Sequence, residues 1–512
     1  MTRALPTGKF PMLFRRRCVT WLKSVVFPLA TLVMVPALPA AAHSEAAAIT
    51  QPEVDFSQTL EAYYQALEDK DWAKANKLSA QLSSGGRDNP VLGSFGKWLR
   101  SAVEAGQGRT AAAEALLNAQ AGTDPAPPEL QQPALPAFLI IGREDLAARL
   151  LDRLASRSPD MVRELPPEWV MPIIRWRDGP QREREDRIIT LSELGYLGER
   201  GDWFAKEAVG ILLARGAEAR AVGLLRYIDD PSTVEDMLVQ RRYERLWPAL
   251  AAQAGPALSK SRDSSVRAAE AARAEDPDNS ERLSDLVSAY RDARRLDAAL
   301  VLKGVLPADA ASMTKVDENT GWAINDLALA LYDAGRGDEG DALFHALNSA
   351  VPANSWRVSM FINRVEKLVQ NGKFAAALPL IAVAEKEPRN AFADQLLRRL
   401  RYCATMKVGQ TEAAARLRPA MLEHTKDAPG ATIEGLLCAG ETDEAEKIAL
   451  SQIDDESFQS DFVRNLQKEP LTASDASVWG GWSALRSRPA IAAAFHRLGR
   501  DLPAEYLPPP FK

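Results

Sequence analysis

The chain has 512 residues, 46% of them hydrophobic and 7% aromatic, and a formal net charge of −6. Its length allows two or three compact domains or one extended array, and its abundance of Ala and Leu over β-branched residues favours helix. The negative charge and the lack of a basic patch with interleaved aromatic residues exclude the usual kind of nucleic-acid-binding protein, because phosphate contacts need clustered Lys and Arg.

Residues 1–42 have the composition of a secretory signal peptide. They hold six basic residues and no acidic residue, with an apolar stretch at 24–38 and a run of alanines that ends at Ala42. The apolar stretch is shorter than the roughly 20 residues of a membrane-spanning helix. We therefore predict cleavage after Ala42 and an exported, periplasmic chain with no stable membrane span; an uncleaved anchor is the alternative. Loss of the six basic residues lowers the formal net charge from −6 to −12.

A turn residue followed five positions later by a small residue recurs along the chain. The turn residues are Lys70, Gly106, Gly142, Gly216, Arg294, Gly335, Gly372, Gly409 and Gly440. The small residues are Ala75, Ala111, Ala147, Ala221, Ala299, Gly340, Ala377, Ala414 and Ala445. Most successive small residues are 31–41 positions apart, whereas gaps of 74 and 78 indicate degenerate copies around 165–200 and 240–275. Such a period is typical of helix-pair arrays.

Residues 335–340 spell G-x-G-x-x-G, but their context is not that of a dinucleotide-binding loop. Such a loop follows a strand, whereas Trp322, Leu327 and Leu331 recur at helical spacing before these glycines. We therefore predict that Gly335 ends a helix in the left-handed conformation. We also predict that Gly340 lies where two helices approach closely.

Three segments of the chain resemble the tetratricopeptide repeat family. They are residues 277–300 with Leu286, Tyr290, Leu296 and Ala299, residues 324–352 with Leu327, Ala328, Leu331, Phe344 and Pro352, and residues 365–388 with Phe374, Ala377 and Pro388, each at family spacing. The resemblance is specific over about 277–450 and weaker over 55–155. It implies an all-α fold in which antiparallel helix pairs form a right-handed solenoid, the tetratricopeptide-like superhelix.

The same resemblance implies that the first helix of each pair lines a concave face that binds peptides or protein segments. The side chains expected on this face are Arg291, Asn325, Tyr332, Glu366 and Arg399. The alternative for each of them is an ordinary solvated position.

These patterns divide the chain into five predicted segments. They are a signal peptide (1–42), N-terminal helical repeats (43–160), degenerate helical repeats (161–276), tetratricopeptide-like repeats (277–453), and a C-terminal helical cap with a Pro-rich tail (454–512).

The sequence carries no recognisable catalytic, metal-binding or cofactor-binding pattern. It contains neither a nucleophile elbow nor a P-loop, and its four histidines are widely separated. Glu456-Ser457 imitates the Glu-Ser pair of soluble lytic transglycosylases, but the downstream segment of that family is missing. Cys403 and Cys438 remain after signal cleavage, and they either form a disulfide or stay as two small buried side chains.

We therefore predict a scaffold or adaptor without cofactor or enzymatic activity that binds peptide or protein segments in the cell envelope. The alternative is a protein that binds or cleaves peptidoglycan or another glycan. An open curved array favours the first function, and a closed toroid with two carboxylates across a Trp-lined cleft favours the second.

Overall fold

A computed structural model describes residues 56–84, 90–123, 131–176, 178–196, 201–307, 313–351, 356–468 and 481–507. All regular elements in these residues are helices, and one isolated β-bridge joins Gln240 and Gly499. The predicted all-α class is therefore confirmed for this part of the chain. The predicted signal peptide lies outside the described residues.

The contacts divide the chain into two units, Met1–Leu212 (unit 1) and Leu213–Lys512 (unit 2). This division falls inside the segment predicted as degenerate repeats, and the five predicted segment boundaries stay predictions.

The helices of unit 1 are α1 (Phe56–Glu68), α2 (Trp72–Ser84), α3 (Pro90–Gly106), α4 (Thr110–Thr123), α5 (Ala134–Ile140), α6 (Glu144–Arg157), α7 (Pro159–Arg163), α8 (Pro167–Arg175), α9 (Gln181–Leu194) and α10 (Gly201–Ala214), whose last two residues belong to unit 2.

The α-helices of unit 2 are α11 (Glu218–Leu224), α12 (Pro231–Val239), α13 (Trp247–Ala254), α14 (Ser259–Glu275), α15 (Ser280–Asp292), α16 (Leu296–Val301), α17 (Glu318–Asp333), α18 (Gly337–Ala350), α19 (Arg357–Gln370), α20 (Phe374–Ala384), α21 (Ala391–Lys407), α22 (Thr411–Glu423), α23 (Pro429–Ala439), α24 (Thr442–Ser451), α25 (Glu456–Asn465) and α26 (Pro489–Leu498). Residues 481–486 are also helical, and short 3₁₀ helices lie at Leu225–Tyr227, Arg241–Leu246, Pro256–Leu258, Leu302–Val305, Thr425–Asp427 and Ala504–Tyr506.

One kind of turn joins the helices within the pairs. At Gly335 the backbone is left-handed (φ +74°), its N–H donates to Tyr332 O at 3.0 Å, and the N–H of Arg336 donates to Leu331 O at 2.8 Å. These bonds satisfy the last carbonyls of the first helix. The same left-handed conformation occurs at Lys70, Gly108, Gly142, Gly216, Arg294, Gly372, Gly409 and Gly440.

The small residues five positions after these turns are buried as predicted, with one correction. Ala75, Ala147, Ala221, Ala299, Ala377, Ala414 and Ala445 are each 0% exposed. The prediction for Gly106 and Ala111 was wrong by two positions, because the turn is at Gly108 and the buried residue is Ala113. Gly106 is instead the last residue of α3, where a Cβ would lie 2.4 Å from the indole of Trp72.

Gly340 lies at a close contact between α17 and α18, as predicted. A Cβ at this position would lie 2.8 Å from the carbonyl oxygen of Ala328 and 2.7 Å from Cδ2 of Tyr332. The first neighbour is backbone and cannot move without displacing the helix, so only glycine permits this approach.

We expect Gly340→Leu to lower the free energy of unfolding by about 1–3 kcal/mol, because the added side chain overpacks this contact. Thermal and urea denaturation of the variant would measure the loss. Gly223→Leu in α11 is the matched control, since no heavy atom lies within 4 Å of a Cβ placed there. Equal stability of the two variants would contradict the contact at Gly340.

Neighbouring helices pack throughout unit 2, and the order of their contacts closes on itself. Contacts run from α12 to α14, α15, α17, α19, α21, α23 and α25, and α25 contacts α12. Closure also involves Ser460 Oγ, which donates to Asp236 Oδ1 at 2.6 Å, and the N–H of Arg500, which donates to Val239 O at 2.8 Å. Buried apolar clusters fill the spaces between successive pairs, for example around Leu327, Leu347 and Met360.

Candidate functional site

The first helices of the pairs in unit 2 (α15, α17, α19, α21 and α23) lie side by side. Asx residues cap the first turns of three of them. The side chain of Asn279 accepts from Glu281 N at 2.9 Å, that of Asp317 from Thr320 N at 2.8 Å, and that of Asn390 from Ala393 N at 2.9 Å. Each cap satisfies orphan N–H groups where its helix begins.

A chain of polar side chains joins these helices, and we call it the first-helix network. Its members are Arg291, Asp292, Asn325, Asp326, Asp333, Asn363, Glu366, Lys367, Arg399 and Glu434. The network contains four of the five residues predicted for the concave face.

The middle of the network connects α15, α17 and α19. Nδ2 of Asn363 donates to Oδ1 of the fully buried Asn325 at 2.8 Å. Arg291 Nε lies 2.9 Å from Asp333 Oδ2, and Lys367 Nζ lies 3.7 Å from Asp333 Oδ1. The Asp333 side chain is only 3% exposed, and these two cations offset the cost of burying its carboxylate.

At the other end of the network, Arg399 forms ion pairs with the carboxylates of Glu366 and Glu434. Nη1 of Arg399 lies 2.6 Å from Glu434 Oε2 and 3.2 Å from Glu366 Oε1, and Nη2 also contacts Glu366. Burial favours a lower pKa for Arg399, but the two carboxylates raise its pKa overall. Burial raises the pKa of Glu434 to about 7, although the guanidinium opposes this shift and the charge of Glu366 adds to it.

Asp292 and Asp326 form an acidic pair at the α15 end. Asp292 is exposed to water, yet desolvation by the surrounding protein raises its pKa to about 6, with Arg291 opposing the shift and Asp326 adding to it. Burial likewise raises the pKa of Asp326.

Tyr332, the fifth predicted residue, does not join the network. Its ring packs against Gly340, and its centroid lies 6.4 Å from that of Phe344, so it faces α18. Desolvation raises the pKa of its hydroxyl to about 12. Its position on a first helix suggested the concave face, but its contact with α18 follows only from the packing of the pair.

Cys403 and Cys438 are joined by a disulfide, with their Cα atoms 5.7 Å apart. The bond links α21 to α23, the same two helices that Arg399 and Glu434 connect. Each cysteine follows its ion-pairing residue by four positions, so the covalent bond and the ion pair lie one helical turn apart on the same faces.

Several members of the network were not predicted from the sequence: Asp292, Asp326, Asp333, Asn363, Lys367 and Glu434. A signal existed, because Asp326 and Asp333 are seven residues apart on one helix and Lys367 adjoins Glu366. The pairing of these side chains across helices could not be predicted from the sequence, since the partners are separated by about one repeat.

Neither a metal site nor a membrane helix is found in the described part of the chain. No group of three or more His, Cys, Asp or Glu side chains there could hold a metal ion. No described helix is long and apolar enough to cross a bilayer. Glu456 begins α25, but its side chain lies outside what the structure describes.

No protein-family model matches this chain, and no curated protein is significantly similar to it in sequence.

Proposed function

We propose that this protein is an exported scaffold or adaptor of the cell envelope and that unit 2 binds a peptide or protein segment along the first-helix network. In this proposal the helix pairs stack as a right-handed, tetratricopeptide-like solenoid, and the chain is not an enzyme.

The observation that carries the proposal is the arrangement of polar groups across five successive first helices. Burying so many charges stabilises a fold little, because desolvation offsets their mutual attraction. Asp292 remains open to water, and Glu366 and Glu434 are each 19% exposed, so a bound chain could reach their oxygen atoms. Regularly spaced polar groups along a groove suit the repeated amides and side chains of an extended segment.

A glycan-acting protein is the second candidate, and two observations favour it. The helix contacts of unit 2 form a closed cycle, and two carboxylates, one with a pKa of about 7, lie close together. Glycosidases use such a pair as acid and base or nucleophile. However, Arg399 binds both carboxylates and occupies the space where the glycosidic oxygen and water would have to lie. We therefore rank this function second.

Site-specific photo-crosslinking in cells would test the proposal. A photoreactive residue at Gln370, whose side chain bonds Glu366 at 3.3 Å, samples the network. The same residue at Val383, 40% exposed on the second helix of the same pair, is the control. We expect a small reproducible set of envelope proteins to crosslink from position 370 but not from 383, and the purified chain to begin at His43. Recovery of glycan fragments without a protein partner would favour the second candidate.

A further inference from the structure

The amino-terminal end of α14 differs from a simply capped helix. The preceding residues Ala257 (φ +51°) and Leu258 (φ +57°) are both left-handed although neither is glycine. No side chain caps the first N–H groups of this 17-residue helix, and its first turn holds no acidic residue. The N–H of Ser259 donates to Pro256 O, but no side chain compensates the partial positive charge at this end of α14.

Two buried side chains at this end have polar atoms without a hydrogen-bond partner. Ser261 is 3% exposed and its Oγ bonds no other atom of the structure; Arg262 is 9% exposed and the same is true of its Nε. Leaving buried polar groups unsatisfied destabilises a fold, so a ligand is expected to pair with them.

The guanidinium of Arg262 points back toward the start of the helix. Its Nη1 donates to the carbonyl oxygen of Ala257 at 2.8 Å, and this residue precedes the first turn. Burial lowers the pKa of Arg262, while the carboxylates of Glu235 and Asp292 oppose this shift. Asp263, the nearest acidic residue in sequence, is paired with Arg295 at 2.6 Å.

We propose that the amino-terminal end of α14 binds a tetrahedral oxyanion of the phosphate or sulfate type. Ser261 Oγ and the Arg262 guanidinium supply donors to its oxygen atoms, and the partial positive charge of the helix end attracts it. The exposed Lys260 adds a positive charge at the entrance while its Nζ donates to Ala252 O at 3.0 Å. A tetrahedral oxyanion of this type offers four oxygen atoms to the donors, whereas a carboxylate offers two.

Calorimetric titration of the purified chain with inorganic phosphate and with sulfate would test this site, with acetate and chloride at matched ionic strength as comparisons. We expect saturable binding of phosphate or sulfate that is at least about tenfold tighter than binding of acetate. Comparing the affinities of phosphate and sulfate shows which anion the site prefers. Comparing a phosphoserine peptide with free phosphate shows whether the bound oxyanion belongs to a peptide or is a free ion.

The variant Ser261→Ala should weaken the binding several-fold with little effect on folding, and Arg262→Gln should abolish it. Arg267→Gln, an exposed arginine on the same helix, is the matched control and should bind like the parent. Phosphate that binds no better than chloride would overturn the proposal. Equal phosphate affinities of the Ser261 variant, the Arg267 variant and the parent would also overturn it. This second outcome can be measured even if the Arg262 variant does not fold.

Discussion

Replacing Arg399 with methionine is expected to lower the free energy of unfolding by about 3–5 kcal/mol at pH 8, because two carboxylates lose their shared cation inside the protein. The Arg399 side chain is 8% exposed, and those of Glu366 and Glu434 are each 19% exposed. Urea denaturation followed by circular dichroism would measure the loss. Arg398→Met, on the same helix but only half-buried, should cost less than about 1 kcal/mol.

The loss should shrink as the pH falls from 8 to 5. The folded-state pKa of Glu434 is about 7, which is above its unfolded value. Protonation of Glu434 therefore stabilises the fold fully below the unfolded pKa, and this contribution is lost as the pH rises through about 7. Without Arg399 the pKa of Glu434 rises further, so this carboxyl is neutral in the folded variant at pH 5. Adding Glu366→Gln and Glu434→Gln to the methionine variant should recover most of the stability at pH 8. The same loss at both pH values would contradict this account of the network.

Arg500→Ala is expected to lower the free energy of unfolding by about 2–4 kcal/mol and to loosen the closure of unit 2. The Arg500 guanidinium lies 3.4 Å from the ring centroid of Trp247, and its Nε donates to Leu238 O at 2.8 Å. A desolvated cation–π contact contributes about 2 kcal/mol, and a charged hydrogen bond contributes about 1.5–3 kcal/mol, with incomplete additivity.

Hydrogen exchange would show whether this loss is local to the closure. Amides of α12 should exchange faster in Arg500→Ala, whereas those of α19, on the far side of the contact cycle, should change little. Arg497→Ala is the control, because this exposed arginine lies three residues earlier and its loss removes the same charge. Unchanged exchange in α12 would mean that Arg500 does not hold the closure.

Some features of this fold are local enough to be predicted from the sequence. A left-handed turn and a small residue five positions later depend on backbone conformation and on one close contact, so Gly335 and Gly340 could be assigned correctly. The error at Gly106 has the same origin: Gly106 and Gly108 both permit a turn, and only the packing of Trp72 against the first shows which residue remains helical. Lys70 and Arg294 adopt the left-handed conformation without glycine because the repeat geometry outweighs their backbone preference.

The candidate sites depend more strongly on tertiary structure. Arg399 and Glu366 could be placed on first helices from the sequence. The pairing of Arg399 with Glu434 and the contact of Tyr332 with α18 could not be predicted, because helical spacing does not show which neighbouring helix a side chain meets. The end of α14 carries no motif at all. Its unpaired Ser261 and Arg262 become informative only once burial and hydrogen bonds are known.

The sequence by itself determined the helical class, the turns within the pairs and the residues of the first helices, because these follow from contacts within about 40 residues. Only the tertiary structure decided that Arg500 meets Leu238 across 262 residues of chain and that the helix contacts of unit 2 close into a cycle. Closure depends on the sum of small rotations between successive pairs. Each rotation is set by side-chain packing at one interface, so no local pattern specifies where the last helix meets the first.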